Sequence, residues 1–238
     1  YFGNKIKFIN KKLKINFKDI SIREIHDFEE IMLIGSGKGI TSVSRIDELD
    51  WKVLQELSKG KKTVFEFGTF IGGSAMAMLP QIKEAGGHLW CIDHFRDNVS
   101  QPPELHIHPY EVVARLLVRV EPYHDTITVI VGDVTEALNF PRGMADLVFI
   151  DAGHSYSMVK RDIGIALHLC KQGGTICGHD YVQHYEDCDQ NLIEKYADTE
   201  SGYFRGVTYG VIRAVNEVFG KPQNEGAIWW VNTESSHY

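Results

Sequence analysis

The chain has 238 residues, of which 43% are hydrophobic, 24% charged and 11% aromatic, enough for one large α/β domain or a domain with a small attachment. Its formal net charge of -7 argues against a surface built to hold nucleic-acid phosphates. No apolar run approaches the roughly 20 residues of a membrane span, and the four cysteines form no CxxC or metal-type cluster, which suggests reduced thiols and a cytoplasmic setting.

The first residue is Tyr1 rather than Met, so a longer parent chain stays open and an absent leader excludes little. Lys5, Lys7, Lys11, Lys12, Lys14 and Lys18 follow without an acid among them, alternating with Ile6, Phe8, Leu13, Ile15 and Phe17. A membrane-surface or partner contact is one reading, and a solvated strand or extension is the plainer one. The segment 1–43 is therefore set apart as an extension, ahead of a domain over 44–238.

Helix and strand signals then alternate, as in a doubly wound, mostly parallel sheet. Ser44 with Asp47 makes a capping box, and Ile46, Leu49, Val53, Leu54 and Leu57 have helical spacing that Gly60 stops. A strand over 63–67 leads through a glycine-rich turn into a helix, where Pro80 should cause a kink or a stop. Strands over 88–92 and 126–131 flank a helix over 111–120 and end in Asp93 and in Gly132-Asp133. A fourth strand, 146–150, ends in Asp151; a helix carrying Val159, Ile163, Leu167 and Cys170 and a strand over 174–178 follow. Val207, Val211, Val215 and Val218 mark the last helix, and 227–231 the last strand. The sequence shows no repeat, linker or low-complexity segment.

Open parallel sheets bind ligands at the carboxyl ends of their strands. The first strand here ends in EFGTFIGGS (66–74), whose glycines permit a tight turn and a close approach to backbone N–H groups. The Gly-x-x-x-Gly spacing departs from the GxGxxG of nicotinamide sites. Asp93 can accept both hydroxyls of a ribose or cap a turn, and Asp133 can receive an adenine amino group or cap the next helix. The stretch FIDAGHSY (149–156) places Asp151 and His154 where a buried strand ends. Leaving such groups unpaired costs roughly 2–7 kcal/mol, so they are either satisfied structurally or form the floor of a reaction site. GSGKG at 35–39 lacks the Walker pattern.

Glu66, Gly68, Gly72, Asp93 and Asp133, in this order and at these intervals, resemble the cofactor site of class I S-adenosylmethionine methyltransferases over roughly 44–231. FIDAGHSY, GGTICGHDY (173–181) and GVTYGVIRAVNEVFG (206–220) resemble the branch of macrolide-sugar and other small-molecule O-methyltransferases and cephalosporin-hydroxylase-like proteins. The resemblance implies a cofactor site of Glu66, Gly68, Thr69, Gly72, Ser74, Asp93, His94, Asp133 and Val134 for S-adenosylmethionine. It also implies a divalent metal, Mg²⁺ by family habit and Mn²⁺ or another ion as alternatives, on Asp151 and Asp180. His179, where many relatives have a second carboxylate, is either a further ligand or bonded to backbone. His154 would act with Asp151 in catalysis, as base where related enzymes place a lysine, or would cap a helix. An acidic, aromatic insert over 182–204 is placed to cover the acceptor or to lie in solvent, and its Glu186, Asp187 and Asp189 would attract a cationic acceptor.

The expected activity is methyl transfer to a hydroxyl of a small molecule, sugar or phenolic, with no nucleic acid or membrane span; a homo-oligomer is compatible. The rivals are an NAD(P)-dependent oxidoreductase and a catalytically idle binding domain.

Overall fold

The computed structural model of the chain describes residues 31–35, 39–43, 48–95 and 108–233. They fall into two units, one reaching Ile46 and one beginning at Asp47. The lysine-rich stretch, the Ser44–Asp47 capping box and Ile46 lie outside the described residues. In the first unit β1 (Ile31–Gly35) pairs antiparallel with β2 (Gly39–Val43). Gly35 pairs with Gly39, the two outer residues of GSGKG.

The second unit opens with α1 (Glu48–Ser58), β3 (Thr63–Phe67), α2 (Gly73–Glu84), β4 (His88–Asp93), α3 (Pro109–Val120) and β5 (Ile127–Val131). It continues through β6 (Ala145–Ile150), α4 (Tyr156–Leu169), β7 (Cys170–Gly178), α5 (Gln190–Tyr196), β8 (Tyr203–Phe204) and β9 (Val207–Thr208). α6 (Tyr209–Phe219), β10 (Gln223–Glu225) and β11 (Ile228–Asn232) complete it. The seven-stranded sheet has the order β10-β11-β7-β6-β3-β4-β5. Its five strands from β7 to β5 are parallel, while β11 runs antiparallel to β7 and to β10.

Strand alternation sends side chains to two cores. Val64, Leu89, Leu147 and Phe149 pack with Val53 and Leu54 of α1, Met78 and Ile82 of α2 and Leu116 of α3. Phe65, Phe67, Val148 and Ile150 pack on the other face with Ile163 and Ala166 of α4 and Ile212 and Val215 of α6. The doubly wound expectation holds, because strands this apolar on both faces must be covered twice.

Several boundaries differ from the sequence reading. α2 runs through Pro80 without ending. Proline inside a helix costs about 3 kcal/mol, whereas each fully buried Met or Leu contributes about 1.5–3 kcal/mol. Met78, Leu79 and Ile82 beside Pro80 are fully buried, which offsets the missing bond. The fifth strand of the sheet starts at Cys170 rather than 174, with a register shift opposite Ala145 and Leu147. Val207 belongs to the β8–β9 hairpin, and α6 starts only at Tyr209. The insert is not a plain loop: it holds α5, and its Cys188, Ile193 and Ala197 are buried in the core. All four cysteines are free and buried. Among the described residues no helix is long and apolar enough to cross a membrane.

Candidate functional site

The glycine turn between β3 and α2 is built from beneath by Glu66. This carboxylate is fully buried and accepts hydrogen bonds from Thr69 Oγ1 at 2.9 Å, from Ser74 Oγ and from Cys91 Sγ at 3.1 Å. Burial pushes its pKa up from 4.5 to about 7 against the opposing effect of those three donors. Glu66, Thr69 and Ser74, expected at the cofactor, thus satisfy one another inside the turn. Gly68 has φ +82, and a Cβ there would sit 2.2 Å from the Asp151 carbonyl oxygen. Only glycine lets this turn press against the end of β6. At Gly72, φ +79, a Cβ would meet Leu116 Cδ1 at 2.5 Å.

Asp93, at the end of β4, fixes the same turn from the side. Its Oδ2 accepts from the N–H groups of Thr69 at 2.9 Å and Phe70 at 2.8 Å, and its Oδ1 from Phe95 N–H at 2.8 Å. Phe70 and Phe95 both stand at positive φ, 48° and 52°. Such conformations cost on the order of 1–3 kcal/mol each, and hydrogen bonds to a carboxylate, worth about 1.5–3 kcal/mol each, offset them. His94, beside Asp93, is exposed.

Asp133 caps the next helix, which leaves the compatible adenine reading in place. Its Oδ1 accepts from Thr135 N–H at 3.0 Å at the start of a short 3-10 helix, and Val134 is buried. Its Oδ2 faces Arg161 Nη1 at 3.4 Å. Arg161 also holds Asp162, a fully buried carboxylate on α4 whose pKa burial raises to about 6 against the opposing Arg161 charge. The sequence reading passed over Arg161 and Asp162, which carry no local motif.

The ends of β6 and β7 meet beside the glycine turn. His154 Nε2 lies 3.1 Å from Asp180 Oδ2 and 3.5 Å from Asp151 Oδ1. Although so close, Nε2 is buried and makes no hydrogen bond of acceptable direction. Asp151, His154 and Asp180 can each present one ligand atom such that all lie within 4.8 Å of one another, the one such group among the described residues. An orphaned imidazole nitrogen aimed between two carboxylates fits a divalent cation better than it fits a hydrogen-bonded pair. Asp180 has φ +66, which aspartate tolerates better than most residues.

His179 stands just outside that trio. Its Nδ1 faces Asp180 Oδ1 at 3.2 Å and Asp151 Oδ1 at 3.8 Å, and its Nε2 faces Asp50 Oδ2 at 3.5 Å. Burial disfavours its cation, but Asp180 and Asp50 more than compensate and raise it to about 11. Burial also lowers His154 and raises Asp180, yet the neighbouring charges win: Asp151 and the Asp180 carboxylate raise His154 overall, and His179, with the charge of His154, lowers Asp180 overall. Asp50, on α1, is a residue the sequence reading missed. Its Oδ1 accepts from Ala227 N–H at 2.8 Å, so α1, the β10–β11 turn and His179 are tied together. The insert's acids Glu186, Asp187 and Asp189 are exposed, in keeping with the solvated reading: Asp189 caps α5 through Asn191 N–H, and Glu186 faces Lys221 at 3.9 Å.

Residues 65–181 match a family model described as a methyltransferase domain. The fold is that of class I methyltransferases. Cofactor-bound Rv0187 from MTB aligns at a TM-score of 0.58 with 17% identity, covering 81% of this chain and 83% of that one. An O-methyltransferase from Bacillus cereus in complex with SAH aligns at 0.53 with 17% identity over 79% and 82% of the two chains. The O-methyltransferase TomG from Streptomyces achromogenes, involved in tomaymycin synthesis and solved with SAM, aligns at 0.52 with 16% identity over 78% and 80%.

Proposed function

We propose that this chain, with a methyltransferase domain at 65–181, transfers a methyl group from S-adenosylmethionine to a hydroxyl of a small sugar or phenolic acceptor, with a divalent cation. One observation carries the reading: the glycine turn, held by Glu66 and Asp93, abuts the Asp151 backbone, so the cofactor turn and the Asp151–His154–Asp180 trio share one end of the sheet.

The cofactor supplies an electrophilic methyl on a sulfonium. The glycine turn, with Gly68 and Gly72, would take its methionine end, and the exposed side of Asp93 with His94 its ribose. The face by Asp133 and Val134 would take its base. Asp151, Asp180 and His154 would hold the cation, which supplies positive charge that lowers the acceptor hydroxyl's pKa and fixes its direction. Two carboxylates and an imidazole suit Mn²⁺, Fe²⁺ or Zn²⁺ better than Mg²⁺, which prefers an all-oxygen shell. The single lone pair of His154 Nε2 can bind a cation or take the acceptor's proton, not both at once. Its position between two carboxylates favours the ligand role. His179, tied to Asp50, orients Asp151 and Asp180 from behind.

The deciding experiment is calorimetry with S-adenosylmethionine and with NAD, followed by methyl-transfer assays over hydroxylated sugars and phenols with and without Mn²⁺. Binding of NAD but not S-adenosylmethionine would establish the oxidoreductase rival. Cofactor binding with no transfer to any acceptor would favour an idle binding domain.

A further inference from the structure

The turn that presents His154 is braced by a distant part of the chain. α4 begins at Tyr156, and the side chain of Ser155, in the N-cap position, makes no cap hydrogen bond. The first N–H groups of a helix have no partner within it and need one from elsewhere. Here Tyr156 N–H donates to the Ala197 carbonyl at 2.8 Å, and Ser157 N–H donates to Asp198 Oδ1 at 2.9 Å. Both acceptors belong to the segment after α5, inside the insert that follows the metal-end strand β7. Asp198 itself is exposed, and the bond from Ser157 N–H holds its carboxyl below the usual range.

That segment and the first turn of α6 together grip the backbone of His154. A Cβ built on Gly202 would lie 2.1 Å from the His154 carbonyl oxygen, and a Cβ built on Gly210 would lie 2.1 Å from the same atom. Gly202 accepts a hydrogen bond from Gly210 N–H at 3.2 Å, so the two close approaches form one clamp. No side chain fits at either position unless His154 moves. His154 is thus fixed on its carboxyl side by Ala197, Asp198, Gly202 and Gly210, none of which touches Asp151 or Asp180 through a bond the structure records.

We propose that Asp198 is a positioning residue for His154, acting through the first turn of α4 to keep the imidazole aimed between Asp151 and Asp180. The inference rests on reading that trio as the cation site, and its core, the link from Asp198 to the His154 ring, can be tested without any cation.

The test compares wild type, Asp198→Ala and Asp198→Asn by Mn²⁺ calorimetry, by the His154 ring signals in metal-free NMR spectra, and by S-adenosylmethionine affinity. Asn caps helices as well as Asp, so it should restore what Ala loses. Asp198→Ala should bind Mn²⁺ about 10-fold more weakly, the low end of what outer-shell partners contribute, with cofactor affinity unchanged. Its His154 ring signals should shift and broaden, and Asp198→Asn should return both readouts to wild type. Wild-type Mn²⁺ affinity and an unmoved His154 ring in Asp198→Ala would overturn the proposal and leave Asp198 as a plain helix cap, whatever happened to the melting temperature. Should wild type itself ignore Mn²⁺, the cation reading falls, and the ring signals alone then decide: movement upholds the link from Asp198 to His154, and no movement overturns it.

Discussion

Glu66 lies wholly inside the protein, under the turn that would receive the cofactor, and its ionisation should be visible in the stability of the fold. Its carboxyl is raised from 4.5 to about 7, chiefly by burial. A raised pKa means that the folded state keeps the proton after the unfolded chain has lost it. The stabilising contribution is therefore complete below pH 4.5 and is lost as the pH rises through about 7. At about 1.4 kcal/mol per pH unit, the loss across that interval is on the order of 3 kcal/mol, and full burial leaves no solvent screening to discount. Glu66→Gln keeps the shape and removes the titration. Urea unfolding of both proteins between pH 4.5 and 8 isolates this one group, because every other titration is common to the pair. Stability relative to the glutamine variant should fall as pH rises, with its midpoint slope between 4.5 and 7. A constant difference across the whole range would refute the claim that this carboxyl is protonated by burial, and a difference rising with pH would reverse its sign.

Three further outcomes follow from the geometry. Gly68→Ala should cost about 2–5 kcal/mol, because it combines an unfavourable positive φ with a Cβ driven into the Asp151 backbone, and thermal unfolding measures it. Asp93→Ala should weaken S-adenosylmethionine binding by about 1.5–3 kcal/mol in calorimetry, since it frees the N–H groups of Thr69, Phe70 and Phe95 that shape the turn; unchanged affinity would remove Asp93 from the site. Asp151→Asn and His154→Ala should both lose divalent-metal affinity together with turnover. A His154→Ala protein that keeps its metal while single-turnover chemistry slows about 10²–10⁴-fold would instead assign the histidine to proton transfer.

Local pattern was enough to read the sheet's five parallel strands, the glycine turn and the acids that end its strands. Val64, Phe65 and Phe67, Leu89 to Ile92 and Leu147 to Ile150 put apolar side chains on both faces, so each had to be a strand covered on two sides. A ligand-bearing strand end must carry its polar residues immediately after the apolar run, which is why Asp93 and Asp151 stood out by position, whereas Asp180 came only from the family resemblance. The same reasoning misjudged Pro80, since a single unfavourable residue says nothing about how much burial surrounds it, and missed β10, whose three residues carry no periodicity. Tertiary structure decided the rest. Glu66 looked like a cofactor contact and lies beneath the turn; Asp133 met Arg161; and Asp50, Asp198 and the two glycines against His154 had no signal at all. The physical reason is sequence distance. Asp50 reaches Ala227 across 177 positions and Asp198 reaches Ser157 across 41, and such pairings are set by how helices pack on the two faces of the sheet, which no neighbouring residues encode.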